Sequence, residues 1–417
     1  MQRSPQHAMS PIQLQREVAP PDTHPAEAAP FAWQGLGTRV VSAPGSLDGI
    51  AAEADRLGMT RILLVSGSRT SRSGAGLRLS AALGDRICAR LDAVPSHSSE
   101  ATVHEGVDLA QACRIDGLVA VGGGSASDTA KAIAIVLAEG GRIADHANVF
   151  YPPDRYDQKH LDRPKLPLIA VPTTASAAEV TPGLGIRADD GHKLVFWDAN
   201  VVPRTIILDA RACMETPVAV MASTAMNAFA HCVEGLYSRV SNPISSGLAL
   251  HAAGILNRAV PAMVRGPHDE NHRAGVLVGA HLSGHVIANA RVGLHHAICH
   301  GLGSHGGLSH GDANAIMLPH VMRYNKRAAG GALAELARAL GEEVAGLSAA
   351  AAADRAIEAV IRLQEAAGVP MRLRDAGFDK ALIGPIATMT LSDRGAYFNP
   401  VVAPPRSDIE AVMGEAW

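Results

Sequence analysis

Short apolar segments that alternate with helical segments constrain the fold of the first half of this chain. Four of them, residues 61–65 (RILLV), 117–121 (GLVAV), 167–171 (PLIAV) and 205–208 (TIIL), read as buried strands. Weaker strands are predicted at 39–41 and from 91 to about 94, with helices at 46–57, 74–84, 104–114 and 127–138. Apolar strands that alternate with helices are typical of a parallel sheet covered on both faces.

After residue 209 the periodicity becomes almost entirely helical, and no strand is predicted in the rest of the chain. The predicted helices are 217–238, 243–265, 270–290, 293–302, 313–325, 331–341, 348–367 and 379–388. We therefore predict an α/β domain at 31–212 and a helical domain at 213–417. Residues 1–30 contain six prolines and no periodicity, which predicts a disordered N-terminal arm.

Composition excludes several classes of function. The chain has 417 residues, of which 47% are hydrophobic and 18% charged, and its formal net charge is −3. This balance gives no electrostatic basis for binding nucleic acid or an anionic membrane, and no apolar run reaches 18 residues. Five cysteines without a CxxC pair, and no visible secretory signal, predict free thiols in the cytoplasm.

Histidines are concentrated in the helical half, where eight of the 19 lie between residues 281 and 320. His296 and His300 are four residues apart and share one face of a predicted helix. Glycines after His300 end that helix, so the chain can turn and bring His310 back toward the same point. Such a cluster is typical of a metal site or of a site that moves protons.

Glycines and hydroxyl side chains follow three of the predicted strands. A glycine turn between a strand and a helix lets a phosphate approach backbone N–H groups, although a simple tight turn also uses glycine. The turn matches neither GxGxxG nor a Walker A motif. Because ligands collect at the carboxyl edge of open α/β sheets, we predict a nucleotide site there, formed by Ser66, Gly67, Gly122, Gly123, Gly124, Ser125, Asp128, Thr173 and Thr174.

Several motifs together resemble the iron-containing alcohol dehydrogenase family, and they occur in family order over nearly all the chain after residue 35. They are GGGSASDTAK (122–131), PTTASAAEVTP (172–182), Lys193, MNAFAHCVEGLY (226–237), HHAICHGLG (295–303), SHGDANAIMLPH (309–320) and GVPMRLRDAGF (368–378). The resemblance implies a dinucleotide-binding domain followed by a helical domain, with the active site between them. It adds Lys193 to the predicted cofactor residues and implies a homodimer.

The resemblance also assigns roles to the histidine cluster. In the family an Asp and three His hold iron or zinc, and the matching positions here are Asn227, His231, His296 and His310. His300 matches a further histidine that is often assigned to proton relay. A carboxamide is a weaker ligand than a carboxylate, so a divalent metal is possible but not favoured, although three His can hold zinc.

Asn227, the following Asn242-Pro243 and the GLHHxxCHxLG pattern resemble the maleylacetate reductase branch of this family. That likeness implies metal-independent reduction of maleylacetate, or a related unsaturated oxo-dicarboxylate, to 3-oxoadipate during the degradation of aromatic compounds. The implied catalytic residues are His300, His231, His296, His310 and Asn227. No acidic residue follows the strand at 61–65, and Arg69 is near, so NADH, NADPH or both are expected.

Three alternatives remain open at this stage. One is a metal-dependent alcohol dehydrogenase in which His231, His296 and His310 bind the ion and a small alcohol or aldehyde is the substrate. The others are a non-redox relative of dehydroquinate synthase and an inactive binding protein. We also expect Glu234 to orient its neighbours and Arg291 to bind a carboxylate or lie on the surface. His281 and His285 are expected on a helix surface, and His295 and His305 are expected to be positional or solvent-facing.

Overall fold

The computed structural model describes residues 30–417, so the predicted N-terminal arm lies outside the described residues except for Pro30. A six-stranded parallel sheet is the centre of the first half of the described chain. Its strands are β1 (Arg39–Ser42), β2 (Ile62–Ser66), β3 (Ile87–Leu91), β4 (Gly117–Gly122), β7 (Leu168–Pro172) and β10 (Thr205–Leu208). They lie in the order β1-β10-β7-β4-β2-β3. Two antiparallel hairpins are built from β5 (Val149–Tyr151) with β6 (Arg155–Asp157) and from β8 (Gly183–Arg187) with β9 (Lys193–Trp197).

The strands predicted from apolar runs are the buried centre of the sheet. Every residue of β2, β4, β7 and β10 is buried. Helices cover both faces, namely α1 (Ile50–Arg56), α2 (Ser68–Ser71), α3 (Gly74–Leu83), α4 (Glu100–Cys113) and α5 (Gly124–Glu139). Separate apolar clusters lie on the two sides, so the predicted covered parallel sheet is confirmed.

The second half of the described chain is helical, as predicted. Its helices are α6 (Val218–Tyr237), α7 (Pro243–Arg265), α8 (Glu270–Ala290), α9 (Leu294–Ser304), α10 (His310–Ala339), α11 (Ala349–Ala367), α12 (Ile383–Thr390) and α13 (Arg406–Ala416). Most of α6 is buried among α7, α8 and α10. Helix α7 is long and apolar enough to pass a composition test for a membrane span, but it packs against α6 and α8 as a core helix does.

Three local predictions were wrong. The strand predicted from residue 91 to 94 instead ends at Leu91, because the edge strand β3 (ICARL) is only half-buried and shows no apolar run. Helices 313–325 and 331–341 are one helix, α10, with a single non-helical residue at Ala329. Helix α5 begins at Gly124 rather than at residue 127, so the glycine turn itself forms the first helical turn.

Candidate active site

Three helices bring the predicted histidines together. Helix α6 supplies Asn227 and His231, α9 supplies His296 and His300, and His310 is the first residue of α10. The His296 ring centroid lies 4.9 Å from that of His231, 5.8 Å from that of His310 and 6.3 Å from that of His300. All five side chains predicted from the sequence therefore share one cluster.

Glu234 anchors the cluster from beneath. Its carboxylate accepts hydrogen bonds from the backbone N–H groups of Gly293 (2.9 Å) and His295 (3.0 Å), at the N-terminus of α9, and a third from His296 Nδ1. Burial opposes the charged form, but these hydrogen bonds and the neighbouring imidazoles lower the pKa of Glu234. Its predicted orienting role agrees with these contacts, because the carboxylate fixes the His296 ring.

Burial keeps His231, His296 and His310 neutral near pH 7. It lowers the pKa of His296 to about 4 and lowers the pKa values of His231 and His310 well below the usual range. His296 Nδ1–H donates to Glu234, so the Nε2 lone pair of neutral His296 faces Asn227 Oδ1 at 3.1 Å. His231 Nδ1 is hydrogen-bonded to Ser283 Oγ at 3.3 Å, and that hydroxyl itself donates to Ala280 O. Both imidazoles therefore direct Nε2 lone pairs into the cluster.

Asn227 can satisfy the His296 lone pair in a way that an aspartate cannot. Its amide nitrogen donates only a 3.3 Å hydrogen bond to Ser176 O in this structure. Rotation of the amide places the N–H group against His296 Nε2 at the loss of that weak contact. A carboxylate at position 227 would place an oxygen lone pair opposite the lone pair of His296 Nε2. Only a proton or a metal cation between the two atoms would relieve that repulsion.

His300 lies at the open side of the cluster and is paired with a residue that was not predicted. Its Nδ1 donates a 2.6 Å hydrogen bond to Asp393 Oδ2, and the two side chains are 28% and 26% exposed. Burial tends to raise the pKa of Asp393, but His300, the Gly395 N–H group and Lys193 together lower it. The Asp393 carboxylate thus fixes the orientation of the His300 ring. No spacing rule connects these residues, which are 93 positions apart.

The predicted nucleotide residues lie at neighbouring strand ends, since β2, β4 and β7 are adjacent in the sheet. Gly122 has φ 145°, which favours glycine, and a Cβ atom on Gly123 or Gly124 would lie 3.3 Å from Thr174 or 3.2 Å from Ser176. Gly123 precedes α5 without a side-chain cap, so the first N–H groups of α5 are available to a phosphate. This turn fits a dinucleotide better than it fits a capped structural turn.

The comparisons with known proteins agree with both halves of the fold. Sequence models of the family described as "Iron-containing alcohol dehydrogenase" match residues 37–210, and those of the C-terminal part of the same family match residues 221–417. The chain belongs to the iron-containing alcohol dehydrogenase family. Members are oxidoreductases that bind NAD(P) and usually iron.

Individual relatives differ in their activities. An NAD-dependent methanol dehydrogenase from Bacillus methanolicus is 33% identical over 73% of this chain and 78% of its own length. A maleylacetate reductase from Pseudomonas aeruginosa is 30% identical over 87% of this chain and 91% of its own length. The crystal structure of a 1,3-propanediol oxidoreductase superposes with a TM-score of 0.88 at 29% identity, covering 93% of this chain and all of that one. The substrate therefore has to be argued from the site residues.

The metal-binding capacity of an iron-containing alcohol dehydrogenase is reduced here but not abolished. His231, His296 and His310 would hold a divalent ion, and the ion would polarise a carbonyl oxygen. However, Asn227 removes the only anionic ligand of the family set. Within residues 30–417, one group of three potential metal ligands has all its ligand atoms within 4.8 Å of one another, namely Glu234, His295 and His296. These three side chains already bind one another or backbone groups.

Several other predicted cofactor residues have protein partners. Ser66 is fully buried and donates to Asp92 Oδ1 at 3.1 Å, and Ser125 Oγ accepts a long 3.4 Å bond from the His97 N–H group. Asp128 accepts from the Gly185 N–H group, while its other oxygen has no partner among the described residues. Lys193 lies between the two parts of the site, where its ammonium group helps to lower the pKa values of His310 and Asp393. Binding of the cofactor by these residues, and by Gly67 and Thr173, stays a prediction.

Glu179 was not singled out as a site residue, although it stands inside the PTTASAAEVTP motif. It lines a crevice at the sheet edge with Gly122, Gly123 and Ser127. Burial raises its pKa to about 7. A carboxyl that titrates near neutrality beside a phosphate-binding turn is a candidate site residue.

One expectation about the peripheral histidines was wrong, and another was confirmed. His281 is buried rather than on a helix surface, and its Nε2 meets His285 Nε2 at 3.2 Å. His295 is fully buried and bonded to Asn314 O, so it is positional and not solvent-facing, whereas His305 is exposed. Both buried residues lie on helices that are covered on every side, which an amphipathic pattern does not predict.

Proposed function

We propose that this protein reduces maleylacetate, or a closely related unsaturated oxo-dicarboxylate, to 3-oxoadipate or its analogue, with NADH or NADPH, as a cytoplasmic homodimer. The observation that supports this proposal most strongly is Asn227 at the position of the anionic metal ligand. Its amide can complete the hydrogen bonding of His296 without an ion, so the imidazole cluster is self-consistent when metal-free. A conjugated substrate suits such a site because it needs less polarisation of its carbonyl than a simple aldehyde does.

The reaction adds one hydride and one proton across a carbon–carbon double bond that is conjugated to a ketone. A bound reduced nicotinamide would supply the hydride to the alkene carbon, and the electron pair of the double bond would move to the ketone oxygen to give an enolate of the substrate. A protonated His300, oriented by Asp393 and still partly open to solvent, then provides the proton that yields the saturated ketone. The Lys193 ammonium group, which is close enough to lower the pKa of His310, would stabilise the enolate.

The test is oxidation of NADH and of NADPH by freshly generated maleylacetate, on protein dialysed against EDTA and assayed for iron and zinc. Rapid turnover at a metal content below about 0.1 ion per chain supports the proposal. No turnover by metal-free or metal-loaded protein refutes it. Comparison of the two cofactors also tests whether the absence of an acid after β2 admits NADPH.

A second candidate function is that of a metal-dependent alcohol dehydrogenase acting on small alcohols or aldehydes. The converging Nε2 lone pairs of His231 and His296 favour it, because ligating histidines commonly donate their other N–H group to a neighbouring acceptor. Turnover of an aldehyde that appears only with added iron or zinc, with maleylacetate inert, would establish this function instead.

A further inference from the structure

We propose that Arg291 and Arg394 form a carboxylate-binding pair that holds the end of the substrate away from the reducing carbon. The proposal rests on the proposed function in assigning a dicarboxylate to this site. The two residues lie beside the histidine cluster, since Arg291 precedes α9 and Arg394 follows Asp393. Neither guanidinium is needed by the hydride and proton chemistry described above.

Arg291 is held in a conformation that favours recognition over simple chain connection. It ends α8 with φ 65° and ψ 173°, a backbone region that residues with side chains rarely adopt. Its guanidinium carbon lies 3.6 Å from the ring centroid of Trp197, the last residue of β9. The backbone and the aromatic ring together therefore fix the plane of this guanidinium.

Arg394 is also stacked on aromatic side chains. Its guanidinium carbon lies 3.5 Å from the ring centroid of Tyr156 in the β5–β6 hairpin and 5.1 Å from that of Phe398. Burial and the positive charge of Arg394 lower the pKa of Arg291 to about 10. The two cations are thus close enough to repel each other, and each is stacked on an aromatic side chain.

This pair lacks a counter-ion within the described chain. No Asp or Glu oxygen among residues 30–417 lies within 4 Å of either guanidinium, while Arg211 and Arg406 on the surface each have such a partner. Like charges that are half-buried and unpaired are unfavourable. A carboxylate from a ligand would relieve this repulsion, and the planar fork of arginine suits two-point binding of a carboxylate.

Strand β9 connects the pair to the reacting part of the site. Its outward-facing side begins with Lys193, beside His310 and Asp393, and ends with Trp197, beneath Arg291. A substrate whose carbonyl group lies at the histidines would extend toward the arginines, where its far carboxylate would bind. His231, His296 and His310 are neutral and cannot balance a dianion, so the arginines supply positive charge that these three imidazoles lack.

The experiment measures binding of maleate to the enzyme–NADH complex by calorimetry, so that it does not depend on turnover. We compare wild type with Arg291→Met, Arg394→Met and Arg291→Lys, and use Arg406→Met, from an exposed ion pair on α13, as the matched control. Loss of a two-point charged contact should weaken maleate binding about 10- to 100-fold in each methionine variant. The maleate affinity of Arg291→Lys, which keeps the charge but not the planar fork, should lie between that of wild type and that of Arg291→Met.

Two further measurements separate the possible outcomes. NADH affinity and the melting temperature should remain near wild type, because a purely structural stacking role would change stability and leave maleate binding intact. Equal maleate binding by wild type and both methionine variants, or no binding by wild type, would overturn the proposal. Weakened maleate binding in a protein that does not reduce maleylacetate would refute the proposed function and leave the arginine site standing.

Discussion

At the scale of single residues, the chemistry of the cluster depends on one amide in place of one carboxylate. Asn227 can present either an oxygen or an N–H group to His296, so it adapts to a neutral imidazole. An aspartate presents only acceptors and needs a cation between the two side chains. We therefore expect the metal content of the protein to depend on this single side chain.

We expect Asn227→Asp to bind zinc at least ~10-fold more tightly than wild type, because it restores an anionic fourth ligand beside His231, His296 and His310. Zinc affinity is measured by competition with a chromophoric chelator on EDTA-treated protein. Asn227→Leu, similar in size but without a ligand atom, is the control and should bind no more tightly than wild type. Equal affinity in the aspartate variant would mean that the histidines are not arranged around a metal position.

A second residue-scale prediction concerns the support of His300. In Asp393→Asn the side-chain oxygen can still accept from the Gly395 N–H group, but the amide nitrogen then faces His300 Nδ1. We expect kcat to fall about 10- to 100-fold, since His300 loses the carboxylate that stabilises its proton. NADH affinity, followed by fluorescence titration, should not change. An unaltered kcat would remove His300 from the proton-transfer step.

The sequence predicted the members of the cluster and the orienting carboxylate Glu234, but not the other supports. Spacing of four residues on one helix pointed to His296 and His300, and a family motif pointed to Asn227 and His231. Asp393, Arg394 and Trp197 reach the site from distant segments, and no local pattern links them to it. The burial of His281 and His295 also depends on how helices pack, which the periodicity of one helix does not reveal.

At the scale of secondary-structure elements, the position of His310 depends on how closely α10 approaches α6. Gly311, the second residue of α10, lies against Ser223 of α6. A Cβ atom on it would lie 2.7 Å from Ser223 Oγ and 2.8 Å from a backbone carbon. Backbone atoms cannot move aside as a side chain can, so this contact sets the distance between the two helices.

We expect Gly311→Ala to displace the start of α10, to lower stability by about 1–3 kcal/mol and to reduce activity. Gly331→Ala, in the same helix with nothing within 4 Å of the added atom, is the matched control. It should be neutral or stabilise the protein by up to ~1 kcal/mol. Urea denaturation and maleylacetate turnover measure the two effects. Equal behaviour of the two variants would show that the α6–α10 contact does not position His310.

The fully buried strands at the centre of the sheet were predictable from their apolar runs, and the mostly exposed β1 was also predicted. Strands β2, β4 and β7 are apolar on both faces and were found, whereas β3 at the sheet edge has the pattern of a loop. Helices 313–325 and 331–341 were predicted as separate elements, but they form one helix, α10, which packs against α11 and has a kink at Ala329. Tertiary contacts outweighed local propensity at both places.

At the scale of the whole molecule, burial has different consequences for the carboxylate Glu234, which is charged, and for most of the buried histidines, which are neutral. Glu234 is stabilised in its charged form by N–H donors, whereas most of the buried histidines are held neutral by the lack of water. The folded protein therefore tolerates a neutral solution better than an acidic one. Histidines outside the site, His281 and His320, allow this to be tested without disturbing the cluster.

Burial lowers the pKa of His281 and of His320 to about 4, and the unfolded chain should titrate near the ordinary value of about 6.5. Between these two pH values the unfolded state binds more protons than the folded state, so stability rises with pH across that window and is flat above it. The more deeply buried His281 should contribute up to roughly 3 kcal/mol of acid destabilisation, and the half-exposed His320 less. Urea midpoints measured at pH 8, 6.5, 5.5 and 4.5 should therefore fall progressively below about pH 6.5.

The variant His281→Leu tests the contribution of one histidine, and it also removes a buried Nδ1 atom that has no partner among the described residues. Its free energy of unfolding should match that of wild type within about 1 kcal/mol at pH 8 and exceed it at pH 5. If the leucine variant and wild type lose stability in parallel, proton uptake by His281 is not what limits the fold in acid.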